Sequence, residues 1–216
     1  MIGWEIMTKE EKIESYLNEL IPNPKCELNY NKDYELIIAV MLSAQTKDSR
    51  VNVVTEKLFS KYKTLEELAN ADISSLENII RELGNYKKKA IGIKEIAKEL
   101  LLKYEGSVPN NRNALENMPM VGRKTTNVVL SVLFNEPNIA VDTHVFRVSK
   151  RLKLAKEEDD VLKVEQKLKR HFKRDVWCKL HHQLVLFGRY YCTSRNPNCE
   201  TCKLKEYCIY KKTNIK

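Results

Sequence analysis

Glycine and proline are scarce, with six of each among 216 residues. That excludes collagen-like and low-complexity chains, which are rich in one or both. Long apolar runs are missing too, and none approaches the roughly 18 residues of a membrane-spanning helix. No segment strictly alternates apolar and polar residues, so no sheet is expected. The first fourteen residues mix acids with apolar residues and have no cleavable apolar core, which predicts a cytoplasmic rather than a secreted protein. What remains is ordinary for a soluble globular chain, 43% hydrophobic and 31% charged. Its length suits one large domain or two small ones.

The net charge of +9 is unevenly spread. From Arg147 onward there are 19 basic and 8 acidic residues, a surplus of eleven, whereas the residues before it carry 19 basic and 21 acidic. A basic final third fits a polyanion partner such as nucleic acid, and fits equally well a set of solvated lysine-rich faces.

Six cysteines are present. In a reducing compartment, clustered cysteines are more often metal ligands than disulfides. Cys192, Cys199, Cys202 and Cys208 fall within seventeen residues as C-x6-C-x2-C-x5-C. Structural zinc sites usually show two short cysteine pairs. This string has one short pair and two wide gaps, enough chain to wrap a [4Fe–4S] cluster. Zinc and unliganded thiols remain open on spacing alone. Cys26 and Cys178, far from the string, read as small buried hydrophobes.

The rest reads as helices. Thr8 and Glu11 form a capping box before the stripe Ile13, Tyr16, Leu17, Leu20. Asp33 is placed to cap an unusually apolar, buried helix over 34–44. Val51, Val54 and Leu58 mark the next stripe. Thr64 with Glu67, and Ser74 with Glu77, make two further boxes, and Gly84 stands where a C-terminal glycine ends the second of those helices. Ala90, Ile93, Ala97, Leu100 and Leu101 mark a long helix stopped near Gly106 and Pro109. A short helix over 114–117, a tight turn over 118–122 and a helix over 123–134 follow. Asp142 opens another helix. Asp159 or Asp160 opens one more, with Val161, Val164, Leu168 and Phe172 on one face, and the last runs over about 176–191. The result is an all-α chain of about ten helices with a cysteine-rich tail and a seam near Pro137-Asn138.

Two places carry chemistry besides the cysteines. The turn Met118-Pro119-Met120-Val121-Gly122 between two helices is a helix–hairpin–helix candidate. Amides at the following helix N-terminus bind a phosphate without reading sequence. Lys124 lies in that helix's first turn, where the dipole and the adjacent Arg123 oppose a positive charge and favour a free amine. Such an amine suits Schiff-base chemistry, although a phosphate-binding lysine reads as well. Asp142 is a preferred helix cap that could also stabilise positive charge on a sugar. His144 reads as a structural side chain.

Taken together, these residues resemble the endonuclease III family of DNA glycosylases, in the helix–hairpin–helix Gly/Pro–Asp superfamily. The resemblance spans 27–208. It rests on Leu42-Ser43-Ala44-Gln45, Val121-Gly122-Arg123-Lys124-Thr125, Val141-Asp142-Thr143-His144-Val145-Phe146-Arg147, Gly188-Arg189-Tyr190 and the cysteine string, all in order. It implies an all-α, two-domain fold: a six-helix domain over 26–136, and an iron–sulfur domain combining 1–25 with 137–216. It also implies a bifunctional glycosylase and AP lyase of base excision repair, acting as a monomer on duplex DNA bearing an oxidised pyrimidine or an abasic site. In the cell that places the protein in the cytoplasm, on the nucleoid when bound to DNA. The damaged base would be flipped out of the stack, since C1′ is out of reach inside it.

Residue by residue, the resemblance makes Lys124 the nucleophile and Asp142 the aspartate that assists base departure. Gln45 fills the hole left by the flipped nucleotide. Asn85 stands at the wedge position, where the family usually has an apolar residue. Met120, Gly122 and Arg123 belong to the phosphate-holding hairpin, with Met120 where a glycine is usual. Thr143, His144 and Arg195 complete the expected DNA contacts, and Arg195 is the only cation of its loop before Cys199. The four cysteines become ligands of a [4Fe–4S] cluster, whose charge of about −2 partly offsets the basic tail. Ala39 stands where the adenine-mismatch branch has an acid, which disfavours that branch. The alternatives are a thymine/uracil mismatch glycosylase, a non-catalytic DNA-binding module, and a zinc-stapled interaction protein.

Overall fold

A computed structural model describes residues 6–210. Part of the basic surplus (Lys211, Lys212 and Lys216) and the start of the expected 1–25 segment lie outside the described residues. Among the described residues there are eleven α-helices and no strand. None of these helices is long and apolar enough to cross a membrane. The chain divides into two compact units, Glu27–Phe134 and Met1–Cys26 with Asn135–Lys216.

Helix α1 (Lys9–Leu20) belongs to the discontinuous unit. Thr8 caps it: its hydroxyl accepts from the Glu11 N–H, and the Glu11 carboxylate accepts from the Thr8 N–H at 2.8 Å. This reciprocal box satisfies two donors that the helix start leaves open. Ile13, Tyr16 and Leu17 then turn into the core.

The continuous unit holds seven α-helices, counting one of five residues. They are α2 (Asp33–Leu42), α3 (Asp48–Lys61), α4 (Leu65–Asn70), α5 (Ile73–Ile79), α6 (Tyr86–Tyr104), α7 (Arg112–Glu116) and α8 (Arg123–Phe134). Helix α2 is the centre. Every residue over 34–42 is buried, and α3, α6 and α8 pack around it. Burial of each large aliphatic side chain contributes roughly 1.5–3 kcal/mol. Asp33 is the first helical residue rather than the cap. The cap is Lys32, and the buried Glu35 carboxylate accepts the N–H groups of Asn31 (2.7 Å) and Lys32 (3.3 Å). The Glu35 carboxylate thus holds the chain that enters the helix, and the first-turn cap expected of Asp33 is not made.

Thr64 caps α4 with Glu67 as expected. Ser74 does not cap α5. Asp72 does, accepting the Ser75 N–H at 2.9 Å, so the helix starts two residues earlier. Gly84 does not end that helix either, because α5 stops at Ile79 and Gly84 has no positive φ. A left-handed stop is found instead at the end of α6. There Glu105 (φ 52°) and Gly106 (φ 79°) turn the chain, and the Gly106 N–H reaches back to the Leu100 carbonyl at 2.9 Å. Such a backward bond satisfies one of the open carbonyls of the last turn.

In the discontinuous unit follow α9 (Thr143–Arg151), α10 (Val161–His171) and α11 (Trp177–Leu186). Asp160, not Asp159, caps α10, accepting the Lys163 N–H at 2.8 Å. Val164, Leu168 and Phe172 face the core, but Val161 is 52% exposed and leaves the expected stripe. Helix α11 is shorter than expected: one 3-10 turn precedes it, and a π turn over Phe187–Tyr191 follows. Cys26 and Cys178 are half-buried rather than buried, and the Cys178 thiol donates to the Glu136 carbonyl at 3.2 Å. A thiol that finds a carbonyl partner is not the inert hydrophobe its isolation in sequence implied.

Candidate functional site

The hairpin lies between α7 and α8. The Met118 N–H bonds the Leu115 carbonyl and the Val121 N–H bonds the Met118 carbonyl, both at 3.1 Å. Met118 and Val121 are buried and anchor the turn, while Met120 between them is 46% exposed. The Gly122 carbonyl accepts the Thr126 N–H at 3.0 Å, so α8 begins directly after it. A Cβ on Gly122 would meet nothing within 4 Å, so the helix start is open to an approaching ligand. Arg123 and Lys124 are the first two residues of α8, and both are exposed. The first N–H groups of a helix have no intrahelical acceptor, and the dipole there favours an anion.

Met120 has φ +60°, a left-handed backbone that costs a residue with a Cβ roughly 1–2 kcal/mol. Its side chain offsets this by packing on α6. A Cβ at Gly92 would lie 2.7 Å from the Met120 sulfur, so the glycine makes room for the thioether. Gln45 (φ 59°) and Asn85 (φ 58°) share the left-handed backbone, and both are exposed. Gln45 sits in the turn between α2 and α3, and Asn85 at the N-cap of α6. The backbone explains the asparagine, which tolerates this conformation better than an apolar residue does.

In the other unit, Asp142 caps α9. Its Oδ1 accepts the N–H groups of His144 (2.9 Å) and Val145 (2.8 Å), leaving Oδ2 outside the cap. Asp142 and His144 are half-buried, and Thr143 is exposed. His144 packs so closely on the π turn that a Cβ at Gly188 would lie 2.8 Å from its Cβ. Its Nδ1 is 3.3 Å from Nη2 of Arg147.

The four cysteines line one cavity with Leu152, Phe187 and Tyr191. Two residues to which sequence reasoning assigned no role hold the start of the cysteine loop. Arg147 donates to the carbonyls of Gly188 and Cys192. The buried Arg151 donates to the Cys192 sulfur at 3.3 Å and to the carbonyls of Thr193 (2.7 Å) and Ser194 (3.1 Å). The available signal was spacing: both follow Asp142 on α9 four residues apart, one face turned to the tail. Burial pushes the thiols of Cys192 and Cys202 up, with Arg151 opposing it at Cys192. Burial likewise lowers the Arg147 guanidinium. Arg195 is exposed, and its carbonyl accepts from the Thr193 hydroxyl at 2.6 Å.

Of the expected residues, Gln45, Asn85, Met120, Gly122, Arg123 and Lys124 thus belong to the continuous unit. Asp142, Thr143, His144, Arg195 and the four cysteines belong to the other.

Residues 38–174 match the model of the HhH-GPD superfamily base excision DNA repair proteins, and residues 192–208 match the iron–sulfur binding domain of endonuclease III. Fold and site therefore define a base excision DNA repair protein of that superfamily. The endonuclease III of Bacillus subtilis (strain 168) is 44% identical over 89% of this chain and 88% of its own length. A solved structure described as a trapped endonuclease III–DNA covalent intermediate superposes with a TM-score of 0.91 at 41% identity, covering 98% of this chain and 100% of that one. A thermostable thymine-DNA glycosylase, 24% identical, covers 95% of this chain and 97% of its own with a TM-score of 0.83, and so shares the fold. The chain belongs to the endonuclease III family. It is a DNA-binding glycosylase and AP lyase of base excision repair, with a [4Fe–4S] cluster as cofactor.

The cysteine cavity fits that group. Four thiols face one space with apolar walls, and a guanidinium already donates to one sulfur. Among the described residues, no three His, Cys, Asp or Glu side chains converge tightly enough for a single metal ion. Ligands of an iron–sulfur core stand farther apart than the about 3.8 Å between sulfurs on one zinc. The core's positive charge would draw the raised thiols to thiolates, so loading releases protons.

Proposed function

We propose that this enzyme removes oxidised pyrimidines from duplex DNA and nicks the resulting strand, acting as a monomer with Lys124 as nucleophile and Asp142 as its partner. The observation that carries the reading is the placement of Lys124. It is exposed in the first turn of a twelve-residue helix, directly behind a tight turn with an open helix start.

The chemistry follows from that placement. The hairpin amides, with Gly122 and Arg123, hold a phosphate and set the height of the sugar. Lys124 Nζ attacks C1′, and the N-glycosidic pair leaves with the base, which takes up a proton. Ring opening then gives an iminium between Nζ and C1′. Loss of a C2′ proton expels the 3′ phosphate, which breaks the strand. Asp142, whose Oδ2 lies outside the cap, stabilises the positive charge that develops on the sugar and assists activation of the amine. Gln45 fills the vacated stack, and Asn85 separates the neighbouring bases. Met120, Thr143, His144 and Arg195 add contacts to the backbone. Cys192, Cys199, Cys202 and Cys208 ligate the cluster, which staples the loop that carries Arg195. We propose the divisions 26–136, and 1–25 with 137–216, as the domains that bear these two tasks.

The test is a panel of duplexes bearing thymine glycol, 5-hydroxycytosine, uracil, a G·T mismatch or an abasic site. The two oxidised pyrimidines and the abasic duplex should be nicked in a single incubation. Base release from only the uracil or G·T duplex would replace this reading with a mismatch glycosylase. Binding without cleavage of any duplex would leave a DNA-binding module.

A further inference from the structure

We infer that Lys89 is a positioning residue for DNA engagement, its ammonium tying the turn that carries Gln45 to the helix start that carries Asn85. The inference rests on the proposed roles of those two residues.

Lys89 ends the run Lys87-Lys88-Lys89, which reads in sequence as a solvated charged face. It is 2% exposed. Helical phase accounts for this, because Lys89, Ile93, Ile96 and Leu100 follow one another at spacings of three and four, and all are buried. Among the described residues, no carboxylate forms an ion pair with its ammonium. Nζ donates instead to the Leu42 carbonyl (2.8 Å), the Ala44 carbonyl (2.9 Å) and the Thr46 hydroxyl (3.3 Å). Three donors thus meet three acceptors, all within the segment 42–46 that contains Gln45. Its backbone N–H bonds the Asn85 carbonyl at 3.1 Å. One residue therefore touches both segments through different atoms.

The position is costly for a cation by burial, and burial alone lowers the amine's pKa. It lies in the first turn of α6, where the dipole opposes positive charge. Two gains offset this. The ammonium sits at the C-terminal end of α2, the negative end of that helix, and it satisfies carbonyls the helix end leaves open. A simple cap would meet the second need more cheaply. What Lys89 adds is a fixed turn: with carbonyls 42 and 44 and hydroxyl 46 pinned, Gln45 is held at φ 59°. Released, Gln45 would relax toward the ordinary backbone that a residue with a Cβ prefers. The filling residue and the wedge are thus held ready before DNA arrives, which cuts the cost of ordering them on binding.

The test compares Lys89→Met, Gln45→Ala and the double variant as full chains with the cluster loaded. The readout is the ratio of kcat/KM on a paired thymine-glycol duplex to kcat/KM on an abasic duplex, where less unstacking is needed. Lys89→Met should lower that ratio by about tenfold, mainly through KM on the paired duplex, and the double variant should be no worse than the poorer single variant. An equal loss on both duplexes, or additive losses in the double variant, would make Lys89 a packing residue and overturn the inference. If Lys89→Met does not fold, Thr46→Val removes one acceptor and should shift the ratio in the same direction by about threefold; an unchanged ratio would overturn the inference. A normal ratio in Gln45→Ala alone would instead remove the proposed role of Gln45, and the Lys89 inference with it.

Discussion

Two irregular turns in this protein rest on cations drawn into the fold, with Lys89 and Arg151 buried and Arg147 half-buried, and they do so differently. The turn around Gln45 is held by one ammonium that meets only carbonyls and a hydroxyl. The start of the cysteine loop is held by two guanidiniums that meet carbonyls and also a cysteine sulfur. The first turn is complete with protein atoms alone. The second encloses four cysteines, of which burial pushes the Cys192 and Cys202 thiols up, and a positively charged core between them would draw out the thiolates. The difference separates two jobs. One unit presents the proposed nucleophile and the residues proposed to enter the stack on a scaffold that folds by packing. The other would couple its own order to the cluster that its four cysteines are proposed to hold.

The largest effect that would sharpen this contrast is chemical. Asp142→Asn should lower base release by several powers of ten with DNA binding kept. Asparagine caps a helix about as well as aspartate, so melting should move little. Near-normal turnover would reduce Asp142 to a cap.

Next comes the cofactor. Cys199→Ser should remove absorbance near 400 nm and cost several kcal/mol in the cluster-bearing unit. Hydrogen exchange should show protection lost over 135–210 and retained in α2 and α6. Uniform loss across both units would break the comparison.

A smaller effect is expected at Gly188. The added methyl of Gly188→Ala would sit 2.8 Å from the His144 Cβ and 3.1 Å from Val148 Cγ2. It should cost about 1–3 kcal/mol by thermal melting. The smallest concerns Asn85. Leucine there should cost about 1 kcal/mol, because φ is 58°. It should still raise the rate on a fully paired lesion duplex, where an apolar wedge helps unstacking. A fall on every substrate would mean that Asn85 makes a specific polar contact.

Much of this was legible in the residues. The hairpin and the bounds of α8 could be read because proline, glycine and an apolar stripe agree over 118–134. The caps Thr8 and Thr64 could be read because each stands alone before its stripe, and Asp142 because it comes first in Asp142-Thr143. Where two candidates compete, local rules did not decide. Asp72 caps in place of Ser74, and Glu35 acts in place of Asp33, because the choice rests on which residue is extended and which is helical. The role of Lys89 was hidden for the opposite reason, since its ammonium's acceptors on Leu42 and Ala44 lie 47 and 45 residues away in sequence. Arg147 and Arg151 were hidden likewise, because their partners lie some forty residues further on.

The central claim, that Lys124 is the nucleophile, is tested most directly by borohydride trapping on an abasic duplex. The wild-type chain should give a stable protein–DNA adduct, because reduction fixes the iminium between Nζ and C1′. Lys124→Gln should give none while still binding the duplex, since the hairpin amides remain. Robust trapping in Lys124→Gln would move the nucleophile elsewhere and contradict the assignment.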